Sequence, residues 1–143
     1  MRMSRERWRF RMKILFYPAS GEVDISGTAG EYHALAALIV AGSGGHAAEP
    51  DATDDFGGTA LSGLQVSTAA HRMALISIDD ARGLLQISGA SAPLAVLASN
   101  VEAMAADQGG GHLHIDYFPD HPYLAPTSVS LIVNSPHGGM PTR

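Results

Sequence analysis

Two hydrophobic periods alternate along the chain, and together they predict its elements. Ile14 to Tyr17 is a short apolar run closed by Pro18 and Gly21, and Glu22 to Ser26 then sets Val23 and Ile25 against Glu22, Asp24 and Ser26. That two-residue period predicts a hairpin of half-buried strands. The period then lengthens. Thr28 and Glu31 have capping-box spacing, Tyr32, Leu35, Leu38 and Ile39 share one helical face, and Gly42 marks a stop. His33 falls off that apolar stripe and reads as a solvated side chain.

Ser43 to Thr59 carries no periodicity and reads as a long loop. Leu61 to Thr68, Met73 to Ile78 and Leu84 to Ser88 are strand-like, and their short separators predict antiparallel neighbours in a meander. Ser91, followed by Pro93, predicts the cap of a second helix whose apolar face is Leu94, Leu97, Val101 and Met104. Strands at His112 to Phe118 and Ser128 to Asn134 close the pattern. The expected fold is α+β, in the order β-β-α-β-β-β-α-β-β, a mostly antiparallel sheet with two helices packed on one face. No repeat is long enough to suggest a solenoid.

Composition agrees with one globular domain over residues 12–134. Of 143 residues, 45% are hydrophobic and 16% charged, which excludes a disordered chain, and the absence of cysteine excludes disulfides and thiolate chemistry. Charge divides the chain further. Six of the nine Lys and Arg residues lie at or before Lys13, with one acid, Glu6, among them, so the rest carries 13 acids against 3 bases. Residues 1–11 read as a disordered basic extension and 135–143 as a flexible tail. The acidic body repels nucleic acid and favours basic partners. The apolar run after the basic arm is too short for a membrane span.

Candidate chemistry gathers between Gly109 and Asn134. Along His112 to Tyr117 alternate residues face opposite ways, so Leu113, Ile115 and Tyr117 are expected inward and His112, His114 and Asp116 outward. Two imidazoles and a carboxylate suit a zinc or iron ion, but the histidine that follows the aspartate in binuclear metallohydrolases is here Tyr117. The alternative is a solvent-facing polar row. No Gly-x-Ser-x-Gly elbow occurs, and Gly42 to Gly45 lacks the lysine of a phosphate loop. Asp54-Asp55 and Asp79-Asp80 read as solvated turn carboxylates. Phe118 to Pro126 differs: three prolines stiffen a turn that carries Phe118, Tyr123 and Leu124 beside Asp120, a composition suited to protein contact or to covering the core's end.

With HLHIDYFPDHPYLAPTSVSLIV as its most specific part, the chain resembles a small bacterial immunity protein of the polymorphic-toxin systems. The resemblance implies a cytoplasmic, non-enzymatic protein that binds and neutralises a cognate toxin, with no cofactor and no catalytic residues. The acidic body adds that the toxin should be basic, as nucleic-acid-cleaving toxins often are. Asp116, Tyr117, Asp120 and Tyr123 are the expected partner-binding residues. Two other readings stand beside this one: a small metal-dependent enzyme using His112, His114 and Asp116, and a homo-oligomeric structural module.

Overall fold

A computed structural model of the chain describes residues 12–53, 56–70 and 72–137. The expected basic extension, residues 1–11, and the part of the expected tail beyond His137 lie outside the described residues.

The first hairpin forms as expected, from β1 (Lys13–Tyr17) and β2 (Glu22–Ser26), with Ile14 opposite Ile25. Helix α1 (Ala29–Ala41) follows. The Thr28 hydroxyl accepts from the Glu31 amide at 3.1 Å, and the Glu31 carboxylate accepts from the Thr28 amide at 2.9 Å, so two orphan donors are satisfied at once. Gly42 ends the helix at φ 73°, where its amide donates to the Leu38 and Ile39 carbonyls.

The expected long loop is partly strand. It contains β3 (Gly44–Ala47) and β4 (Thr59–Ala60), two edge elements that sequence periodicity does not reveal because neither has an apolar face to alternate. Glycine carries the pairing of β3 with β5 (Gly63–Thr68): a Cβ on Gly63 would stand 2.7 Å from the His46 carbonyl oxygen.

The expected meander is also corrected. Strand β7 (Leu84–Gly89) lies between β5 and β6 (Leu75–Asp79), parallel to β5 and antiparallel to β6. The physical reason is burial: β7 sends Leu85 and Ile87 into the core, which suits the sheet's centre, while the more exposed β6 takes the edge. Helix α2 (Ser91–Ala105) starts after Ala90, not after the expected cap Ser91. Ala90 is still extended, and its amide is held by the Arg72 carbonyl at 2.9 Å, so the chain turns into the helix one residue early and without a side-chain cap. The last strands are β8 (His112–Ile115) and β9 (Ser130–Asn134), both shorter than expected.

Two sheets result, ordered β4-β1-β2-β9-β8 and β3-β5-β7-β6. They are built from a ββαββ unit used twice, as β1-β2-α1-β3-β5 and as β6-β7-α2-β8-β9, with the short β4 added to the first. The pair Ile14 with Ile25 recurs as Ile76 with Ile87. Gly21, at φ 75°, and Gly83, at φ 65°, close the two hairpins through 2.8 Å amide bonds to the Tyr17 and Asp79 carbonyls. Each helix follows an Ile-Ser-Gly triplet, Ile25 to Gly27 and Ile87 to Gly89. The unit's later strands then cross over: β9 pairs parallel to β2, and β5 parallel to β7, so each unit completes the other's sheet. Even the joints repeat, since Met12 bridges Ala48 and Ala74 bridges Leu124. The chain is no solenoid, but it is internally duplicated.

The helices pack against each other, and α2 touches β7 of one sheet and β9 of the other. One buried cluster accordingly joins Ile14, Ile25, Leu35, Ile76, Ile87, Leu97 and Val133. Tyr32 is fully buried within it, where its hydroxyl lies 3.1 Å from the Ile25 carbonyl and 2.6 Å from that of Asn134. Burial, reinforced by the negative charges of Asp24 and Glu31, pushes this hydroxyl far above the ordinary phenol range. A raised pKa contributes stability that is complete below the unfolded value near 10.0 and is lost as pH rises above it. Urea unfolding should therefore show stability falling by about 1.4 kcal/mol per pH unit above that point, with Tyr32→Phe flattening the dependence.

Candidate functional site: the turn between β8 and β9

Strand β8 pairs with β9 on one side and is an edge of its sheet on the other. The expected alternation holds. Ile115 is buried, Leu113 and Tyr117 pack against the core, and His112, His114 and Asp116 are exposed. The His112 and His114 rings meet edge to face, with centroids 4.6 Å apart. Among the described residues, no group of three or more His, Cys, Asp or Glu side chains is placed to hold a metal ion.

The turn beyond β8 is organised by His121. Its Nδ1 accepts from the amides of Tyr123 at 3.1 Å and Leu124 at 3.0 Å, which places the ring proton on Nε2. The His121 amide donates to the Phe118 carbonyl at 3.0 Å. Pro119 and Asp120, the latter at φ 66°, are the two central residues of that turn, the positions where proline and a positive φ are favoured in type II geometry. Three aromatic rings surround the imidazole: Phe118 at 4.5 Å, Tyr123 at 4.6 Å and Tyr117 at 6.3 Å between centroids.

The lower end of the turn is anchored in the body. Tyr123 is 8% exposed, and its hydroxyl accepts from Asn100 of α2 at 2.8 Å. Burial pushes that hydroxyl upward against the opposing effect of the Asn100 bond. Leu124 is buried, and Ala74 clasps the backbone by donating to the Tyr123 carbonyl and accepting from the Ala125 amide at 2.7 Å. The upper end is open. Phe118 is 53% exposed, and Asp116 and Asp120, two residues to either side of it in the chain, are exposed as well.

The structure thus brings together the four expected contact residues and sorts them. Asp116 and Asp120 are at the surface, Tyr117 is half-buried against the core, and Tyr123 supports the turn from beneath. Phe118 and His121 complete the set. The sequence signal for His121 is its place between Pro119 and Pro122, where a short side chain with an acceptor can satisfy amides that no strand partner reaches.

Elsewhere, a groove of about 480 Å³ runs between the helices, lined by small side chains such as Ala37, Val40 and Ala95. His33, read from sequence as solvated, is exposed there and pairs with Glu102 of α2. No helix among the described residues is long and apolar enough to cross a membrane.

The architecture is that of an α+β protein with an anchored, partly aromatic surface turn. Comparison with known families adds a specific match: residues 85–136 fit the family described as Immunity protein 32. The matched stretch runs from β7 through α2 and β8 to the end of β9, and it contains the whole turn. It bears out the resemblance to immunity proteins of toxin systems. No curated protein and no solved structure gives a significant match.

Proposed function

We propose that this chain is a non-enzymatic immunity protein of a bacterial polymorphic-toxin system, acting in the cytoplasm by binding and neutralising a cognate toxin through the turn at residues 116–121. The observation that carries this reading is the half-exposed Phe118 ring, packed on the anchored His121 inside the stretch that matches an immunity family, with the exposed Asp116 and Asp120 two residues to either side in the chain. Anchored aromatics lose little conformational freedom on binding, and buried aromatic anchors carry much of the energy of protein interfaces. The partner's charge follows from the surface. Against the acids of the described residues stand three bases, Lys13, Arg72 and Arg82, and Arg82 is already paired with Asp79. A basic toxin, of the nucleic-acid-cleaving kind, is steered toward such a body.

The test is titration of the chain against the toxin encoded beside it. The wild type should bind and suppress toxicity. Asp116→Lys with Asp120→Lys and Phe118→Ala should weaken binding by about 100-fold, the scale of removing a hot spot and reversing its flanking charges. No wild-type binding would reject the toxin-binding reading. Full affinity in the triple variant would reject the turn as its site.

A further inference from the structure

The surface of the turn does not stop at Leu124. The amide clasp between Ala74 and the Tyr123–Ala125 backbone adjoins a cleft of about 430 Å³, lined by Met73, Leu75, Ser88, Ala125, Pro126 and Thr127. That volume lies in the range that encloses a side chain or small ligand. Met73 is one of the few large apolar side chains at the described surface. Arg72 is among the lining residues. Its backbone is fixed at both ends, the amide donating to the Ala69 carbonyl and the carbonyl accepting from the Ala90 amide, while its side chain is exposed. Among the described residues its guanidinium makes no ion pair, whereas Arg82 is held by Asp79 and Gln65.

We infer that this cleft is a second contact point for the partner protein, taking an apolar side chain whose neighbouring Asp or Glu pairs with Arg72. The inference rests on the toxin-binding reading and deepens it. An otherwise acidic body repels a partner's carboxylates, so a carboxylate is welcome only beside an unpaired cation, and a guanidinium receives it with two parallel hydrogen bonds. The predominantly apolar lining, with Met73, Leu75 and Pro126, then favours a hydrophobic neighbour over a second charge. Turn and cleft together give opposite electrostatic preferences a short distance apart. Such an arrangement fixes the register of a basic partner, because sliding or inverting it sets like charges against each other.

The experiment uses the full chain and the toxin encoded beside it, with affinity read by calorimetry. Arg72→Glu should weaken binding by about 30-fold or more, with Arg72→Lys intermediate because the ammonium keeps the charge but loses the paired geometry. Thr127→Trp, at an exposed rim position, should fill the cleft and weaken binding at least 10-fold while leaving the urea midpoint unchanged. Wild-type binding that is unaffected by both Arg72→Glu and Thr127→Trp overturns the cleft and leaves the turn standing. Absence of wild-type binding overturns the toxin reading and the cleft with it.

Discussion

Asn134→Leu is expected to cost about 2–3 kcal/mol of folding stability, measured by urea unfolding at neutral pH. Asn134 lies at the end of β9, on the far side of β2 from β1, and is 2% exposed. Its amide nitrogen donates to the Asp24 carboxylate and stands 3.1 Å from the Ile25 carbonyl and 3.0 Å from the Ser26 hydroxyl. Two protons thus serve three acceptors from one strand, and one of these is a carboxylate only 5% exposed. Leucine keeps the volume and removes the donors, leaving a buried charge and a buried carbonyl less satisfied. The amide oxygen adds little to the loss, because Asn134 Oδ1 is buried and has no hydrogen-bond partner among the described residues. The Tyr32 bond to the Asn134 backbone carbonyl survives the change. Replacing Asp24 by Leu as well should recover part of the cost, since the buried carboxylate is then no longer left short of the Asn134 donor. A double variant no more stable than Asn134→Leu alone would show that the penalty comes from packing.

Leu35→Ala and Leu97→Ala are expected to destabilise the protein by about 3 kcal/mol each, and by amounts equal to within about 1 kcal/mol. The magnitude comes from burial: Leu35 is 1% and Leu97 0% exposed, and each leaves a cavity in the shared core. The equality comes from the duplication. Both leucines follow an Ile-Ser-Gly triplet by the same interval, both precede a buried alanine, Ala36 or Ala98, and both lie on the helix of their ββαββ unit. Urea titrations with unchanged slopes would measure the two losses, and a difference above about 2 kcal/mol would show that the units are equivalent in topology but not in packing. Because β5 and β9 are exchanged between the units, neither loss should stay confined to one half. Each variant is expected to unfold in a single transition.

The legibility of this fold in its sequence follows local physics. The capping box at Thr28 and Glu31 and the left-handed stop at Gly42 were readable because every group in them lies within one turn of chain. The alternation at β8 was readable because a sheet edge with one buried face imposes a strict two-residue period. Ser91 misled because an isolated Ser-x-Pro pattern does not register the Arg72 carbonyl holding Ala90 extended. Strands β3 and β4 were hidden because edge strands rich in glycine and alanine carry no apolar face. The Ile-Ser-Gly triplets were visible as letters, yet each is too short to stand out until the matching hairpin registers give them meaning.

At the site the same division appears. Sequence alone determined that a proline-stiffened turn with Tyr117, Phe118, Asp120 and Tyr123 joins the last two strands, and that the chain beyond its first residues is acidic. Those properties depend on residue type and near neighbours. Only the tertiary structure decided that Tyr123 is the buried foot of the turn and Phe118 its exposed tip, that Asn100 of α2 and Ala74 beside β6 hold the turn down, and that Arg72 opens onto a cleft beside it. These depend on contacts between residues far apart in the chain. Such contacts are set by which strand takes the centre of each sheet, and burial over the whole core makes that choice.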